Sequence, residues 1–174
     1  MAALSYLGSS FNLVASRYPV ATAVITTGAK SGFADVATQT CFERRSSSDI
    51  DFRRVAVFGV FGAVYQGAGQ YWIWNTLMER LPAFASRGSK VLFVNGFCDP
   101  VLFFPCFYTT KAYLNPAADT PSPLTAARVG LSEYRQNYLQ DWCNTWMVWV
   151  PGHCITSMLP SHMKIPWIAA VSFG

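Results

Sequence analysis

The chain has 174 residues, of which 52% are hydrophobic and 13% are charged, and its formal net charge is +4. Soluble domains contain about 25% charged residues, so this composition argues against an ordinary water-soluble surface and favours a single membrane domain. The positive charge is small and scattered, without a basic stripe that interleaves with stacking aromatics, and we therefore expect no nucleic-acid partner.

Four apolar stretches predict transmembrane helices. The stretch Val55–Met78 contains no Asp, Glu, Lys or Arg. A helix of about 24 residues rises roughly 36 Å, which is enough to cross a bilayer core of about 30 Å. Lys30 and Asp35 make the first stretch the least apolar of the set. In chain order, the predicted spans cover residues 18–41, 55–78, 91–113 and 142–163.

The second half of the chain adds two features to this pattern. The third span contains Pro100 and Pro105, each of which removes a backbone donor, so we expect a kinked or interrupted helix there. Residues 124–141 alternate polar and apolar positions with a helical period and predict an amphipathic helix at the membrane interface. The predicted fold is an all-α integral membrane bundle of four transmembrane helices with one or two interfacial helices, in a single domain over residues 1–174.

An ordered series of motif residues, most of them proline, charged or aromatic, extends over nearly the whole chain. Its members are Tyr18, Pro19, Thr22, Asp35, Gln39, Asp51, Arg53, Arg54, Gly59, Trp72, Lys90, Asp99, Pro105, Trp146, Trp149, Leu159, Pro160, Lys164, Trp167, Val171 and Ser172. In this order and spacing the chain resembles the family of small four-span organellar membrane proteins that includes Mpv-seventeen and the twenty-two-kilodalton peroxisomal membrane protein.

The chain also departs from the pattern of that family. Gln66-Gly67 and Gln70 stand where the family usually has Gly-Pro and a His, and Pro100 follows Asp99 where the family has Gln. Ile155-Thr156 replaces an Asn-Phe pair, and the sequence stops short of the family's final Trp and Leu-Ser motif. We therefore expect a divergent member with a short C-terminus.

The resemblance implies a small organellar membrane protein that acts as a pore or permeability factor for ions or metabolites. It implies the mitochondrial inner membrane as the location, with the peroxisomal and plastid membranes as alternatives. The departures at polar positions leave a second reading open, in which the bundle is a non-catalytic accessory subunit of a larger respiratory or photosynthetic membrane complex. The expected partners are membrane lipids and, in the second reading, the subunits of that complex.

Eight polar residues in or beside the predicted spans are the candidate functional residues. Buried ionisable groups in a membrane are costly, so they either line a polar path or pair with one another and lock helices together. The candidates are Asp35, Gln39, Arg53, Arg54, Gln66, Gln70, Asp99 and Lys164. For Asp35 and Asp99 the locking alternative predicts a basic partner, drawn from Lys30, Arg53, Arg54 and Lys90.

The sequence gives no support for catalysis. It contains no recognisable Ser-His-acid arrangement and no glycine-rich phosphate loop after a strand. His153 and His162 lack the paired spacing of metal ligands. We therefore expect a protein that is not an enzyme and has neither a cofactor nor a metal site.

Overall fold

The computed structural model describes residues 2–80, 86–114 and 122–172, with side chains from Ser9 onward. Within these ranges every regular element is helical and no strand occurs, which confirms the predicted all-α class. The helices are, in chain order, α1 (Ala2–Arg17), α2 (Pro19–Ala37, extended by the π-helical turn Thr38–Phe42), α3 (residues 52–80), α4 (Arg87–Tyr113), α5 (Pro123–Thr156) and α6 (Ser161–Val171).

Local sequence signals set several of the helix ends. Pro19 occupies the first turn of α2, where its missing donor costs nothing. Asp51 caps α3, because its side chain accepts a hydrogen bond from the Arg54 backbone N–H at 3.0 Å. Ser86 caps α4 in the same way through the Ser89 N–H at 3.1 Å. Each of these helix starts thus satisfies or avoids an orphan backbone donor.

The predicted interfacial helix 124–141 and the start of the predicted span 142–163 lie on one continuous helix, α5. Pro151 lies inside α5, and the chain leaves the helix only after Thr156. It resumes in α6, which begins directly after Pro160. The change from mixed to apolar composition at residue 142 therefore marks no helix boundary, since hydropathy reports the surroundings of a helix and not its hydrogen bonds.

Two compact units make up the chain. The first combines Met1–Pro82 with Thr156–Gly174, and in its described part α2 packs against α3 and α6. The second covers Ala83–Ile155, where α4 and α5 contact each other through aromatic and polar side chains. The polar residues discussed below lie inside these two units.

Among the described helices, Arg87–Tyr113 is long and apolar enough to cross a membrane. The region of the second predicted span forms a helix of sufficient length, but glycines and the polar residues Gln66, Gln70 and Asn75 dilute its apolar character. The four-span arrangement therefore remains a prediction.

Candidate functional site

A row of polar side chains follows the face of α2 that meets α3. Thr27, Ser31, Asp35 and Gln39 recur every four residues and are all buried, and we call them the polar seam. Residues at this spacing lie one above the other on a helix. The seam therefore places hydroxyl, carboxylate and carboxamide groups in the interior of the first unit.

Close backbone approach accompanies the seam. A Cβ atom at Gly62 of α3 would collide with the Ser31 hydroxyl, and a Cβ atom at Gly67 would lie 2.7 Å from Thr27 Oγ1. Only glycine fits such positions without displacing α2. Residues Gly62–Gly69 also adopt a π-helical geometry. The two helices consequently meet along a contact in which small residues face hydroxyl groups.

The end of the seam that follows Asp35 is ionic. Asp35 Oδ1 lies 2.7 Å from Arg54 Nε, and Gln39 Nε2 donates to Asp35 Oδ2 at 2.8 Å. The Gln39 Oε1 atom accepts the Asp51 backbone N–H at 2.7 Å, so one glutamine joins the end of α2 to the start of α3. Arg54 Nη1 also lies 2.6 Å from Glu43 Oε1. The hydrogen bond from Arg54 holds the pKa of the Glu43 carboxyl below its ordinary value.

A second polar group lies beside the seam. Lys30 Nζ donates to Gln66 Oε1 at 3.1 Å and to Ser172 Oγ at 2.9 Å, which connects α2, α3 and the C-terminal end of α6. Ser31 Oγ lies 3.4 Å from the same Gln66 oxygen. Both acceptors of the ammonium group are neutral, in contrast to the carboxylate that Arg54 meets.

The remaining candidates of the first unit lie apart from one another. Lys164 is 3% exposed, and its Nζ atom lies 2.8 Å from Glu79 Oε1 at the end of α3. Gln70 Oε1 is buried and accepts no hydrogen bond from the described residues. Arg53 is exposed at the start of α3.

In the second unit, two prolines and three side-chain donors complement each other. Val94–Phe103 is π-helical, and the Phe104 N–H bonds to the carbonyl five residues earlier. In this hydrogen-bonding pattern, Pro100 and Pro105 lack the N–H groups that would donate to the carbonyls of Asn95 and Pro100. Both carbonyls are therefore left without a backbone donor.

Donors from α5 reach both of these carbonyls. The indole N–H groups of Trp142 and Trp146 donate to Asn95 O at 2.8 and 3.1 Å. The Tyr134 hydroxyl donates to Pro100 O at 2.8 Å, and burial raises the pKa of Tyr134 to about 12, so the phenol keeps its proton. Each bond lost to a proline is thus replaced by a side chain of the neighbouring helix.

Asp99 lies within this π-helical segment. It is 7% exposed, and its Oδ2 atom has no hydrogen-bond partner among the described residues. One turn earlier, Asn95 Nδ2 donates to Val91 O at 2.9 Å and lies 3.0 Å from His153 Nδ1, while Asn95 Oδ1 is buried without a partner in the described chain. The second unit therefore buries two oxygen acceptors that its described donors leave unsatisfied.

The structure thus brings only part of the predicted set together. Asp35, Gln39 and Arg54 form one cluster, and Gln66 joins Lys30. Gln70, Asp99, Lys164 and Arg53 occupy separate places. The sequence alone did not indicate Glu43, Glu79, Asn95 or Tyr134. The five-residue spacing of Pro100 and Pro105 was a signal for two orphan carbonyls, but nothing in the sequence indicated which residues supply the donors.

Comparison with known proteins gives no assignment. No protein-family model matches the chain, and neither a curated protein nor a solved structure matches it. The function is therefore argued from the residues, their geometry and the resemblance given above.

Proposed function

We propose that this chain is a small integral membrane protein of an organelle, similar to the Mpv-seventeen family, which provides a pore or permeability pathway for ions or metabolites. The proposed location is the mitochondrial inner membrane, with the peroxisomal or plastid membrane as the alternative. The proposed function is non-catalytic, because the sequence contains no recognisable arrangement of nucleophile, base and acid.

The observation that carries the proposal is an inverted distribution of polarity. Gln39, Asn95, His153 and Lys164 are at most 3% exposed. Large apolar side chains, in contrast, face outward, and they include Ile25, Phe33, Val60, Val64, Leu92, Leu139 and Met147. Water would oppose both features, whereas a bilayer favours apolar side chains outside and polar groups toward the interior of a bundle.

The candidate span Arg87–Tyr113 supports the same proposal. Its most apolar window is only 44% buried, whereas the core helix of a soluble protein is mostly buried. Lipid would supply an apolar surrounding for the apolar side chains that this helix leaves uncovered.

Extraction at alkaline pH tests the membrane part of the proposal. We expect the intact chain to stay with the organellar membranes after washing with alkaline carbonate. Release of the full-length polypeptide into the supernatant would refute both the four-span arrangement and the pore.

Conductance in planar bilayers tests the pore. The purified protein should conduct, and Asp99→Asn should change the ratio of cation to anion permeability, because it removes the buried carboxylate of the second unit. Asp49→Asn is the matched control, since Asp49 lies exposed in the turn before α3. A silent bilayer, or an equal effect of both variants, would count against the pore.

A second candidate function is that of a structural subunit in a larger respiratory or photosynthetic membrane complex. It is favoured by the close contact between Gly62 and α2, where a single added methyl group has no room. Such close packing suits a bundle of fixed structure. Blue-native electrophoresis in mild detergent tests this function. Migration in a large assembly would support it, and migration only as a small species would exclude it.

A further inference from the structure

We propose that Lys30, Gln66 and Ser172 form a seat for a small oxyanion, a phosphate or a carboxylate group, in the first unit. This inference rests on the proposed function, because it names the class of solute or headgroup that the membrane protein binds. It concerns residues of α2 and α3 and Ser172, which directly follows α6.

The site contains a positive charge, the ammonium group of Lys30. The other buried charges of the first unit have partners of opposite sign, namely Asp35 with Arg54 and Lys164 with Glu79. Lys30 forms no ion pair with any carboxylate of the described residues. Its hydrogen bonds go to the neutral oxygens of Gln66 and Ser172. Among the described residues, the positive charge of this site therefore has no carboxylate partner.

The position of the Lys30 ammonium group favours a bound anion. Lys30 lies in the middle part of α2, away from both ends of the helix, and it is only partly exposed. If α2 spans the bilayer as proposed, the ammonium group lies at a depth where an unmatched charge is strongly unfavourable. A bound anion would remove this cost. Fixed by two hydrogen bonds, the ammonium group is also held in place to meet it.

The groups at and around the Lys30 ammonium include hydrogen-bond donors. The ammonium has three N–H donors, of which two are used within the described chain. The carboxamide of Gln66 carries an NH₂ group. The Ser31 hydroxyl donates to Gln66 Oε1 at 3.4 Å, and the Ser172 hydroxyl donates to Ala169 O at 3.2 Å while accepting from Lys30. The third N–H of the Lys30 ammonium group and the NH₂ group of Gln66, next to one positive charge, suit the acceptor oxygens of a phosphate or carboxylate. They do not suit a metal cation, which needs acceptors.

Binding of inorganic phosphate to the full-length protein in neutral phosphatidylcholine vesicles tests the seat. We expect phosphate to raise the thermal unfolding temperature, and Lys30→Gln to weaken the apparent phosphate affinity by at least about tenfold. Lys30→Arg should retain binding because it keeps the charge. Lys111→Gln is the control, because Lys111 is exposed in the second unit and pairs with Glu133.

Gln66→Glu gives an independent test that does not require loss of stability. The new carboxylate would lie next to Lys30 and supply the missing counter-charge from within the chain. This variant should be more stable than the wild type in the absence of phosphate and should lose the response to phosphate. An unchanged phosphate response in both Lys30→Gln and Gln66→Glu would overturn the proposal.

Two further measurements distinguish a lipid headgroup from free phosphate as the bound oxyanion, and distinguish failure of the seat from failure of the pore. Stabilisation by phosphatidylglycerol vesicles without phosphate, lost in Lys30→Gln, would identify a lipid headgroup as the occupant. Absence of a Lys30-dependent effect from both phosphate and anionic lipid would refute the seat. Silent bilayers with intact Lys30-dependent binding would refute the pore alone, whereas conductance without such binding would refute the seat alone.

Discussion

Removal of Arg54 should destabilise the protein more than neutralisation of its partner Asp35. The Asp35 side chain is 5% exposed, and in Arg54→Met its carboxylate keeps only the amide donor of Gln39. Leaving a buried charge unpaired costs about 3–5 kcal/mol, and the remaining Gln39 bond places this case near about 3 kcal/mol. Arg54 is 19% exposed and still meets Glu43 in Asp35→Asn, so that variant should lose only about 1–2 kcal/mol.

Reversible chemical unfolding in detergent, followed by tryptophan fluorescence, measures these losses. The double variant should reveal a coupling energy of about 1.5–3 kcal/mol between the two side chains. Lys111→Met is the control, because both partners of its ion pair are exposed, and it should cost less than about 1 kcal/mol. Equal losses in the two single variants, or a larger loss in Asp35→Asn, would refute the assignment of Asp35 as the buried partner.

Three further changes test other parts of the fold. Tyr134→Phe leaves a proline carbonyl without its donor and should cost about 1–2 kcal/mol in the same unfolding assay, whereas Tyr138→Phe, whose hydroxyl has no hydrogen bond in the described chain, should cost clearly less. Gly62→Ala forces α2 away from α3 and should lower the unfolding temperature strongly, while Gly88→Ala, with open space around it, should not. The folded-state pKa of Glu43 is lowered, so its stabilisation is complete above the unfolded-state pKa and disappears as pH falls through the folded-state pKa. Melting curves over a pH series should therefore lose part of their acid dependence in Glu43→Gln, and an unchanged dependence would contradict this.

The sequence predicted helices better than it predicted their partners. Apolar stretches indicated an all-α chain, because this feature depends on neighbouring residues. The kinked or interrupted helix expected at Pro100 and Pro105 is a continuous helix, Arg87–Tyr113, with a π-helical segment over Val94–Phe103. The ion pair of Asp35 was one of several possible pairings, since charge type alone does not select among nearby bases. The pair between Lys164 and Glu79 joins residues far apart in the chain, and no local pattern connects them. The continuity of α5 across residues 141 and 142 was also not predicted, since the change from mixed to apolar composition there indicated two separate helices.

If the chain lies in a membrane, as proposed, the contacts between its helices must specify their pairing in a lipid environment. Apolar burial discriminates little between helix pairings there, because lipid tails are as apolar as the side chains they replace. Hydrogen bonds and close approach must then select the partner. In the second unit, the Asn95 and Pro100 carbonyls orphaned by prolines require donors at a five-residue spacing, and Trp142, Trp146 and Tyr134 supply them from one helix. A sequence change that removes a proline of α4 would make the matching donor of α5 surplus, so these positions should constrain one another even though they are far apart in the chain.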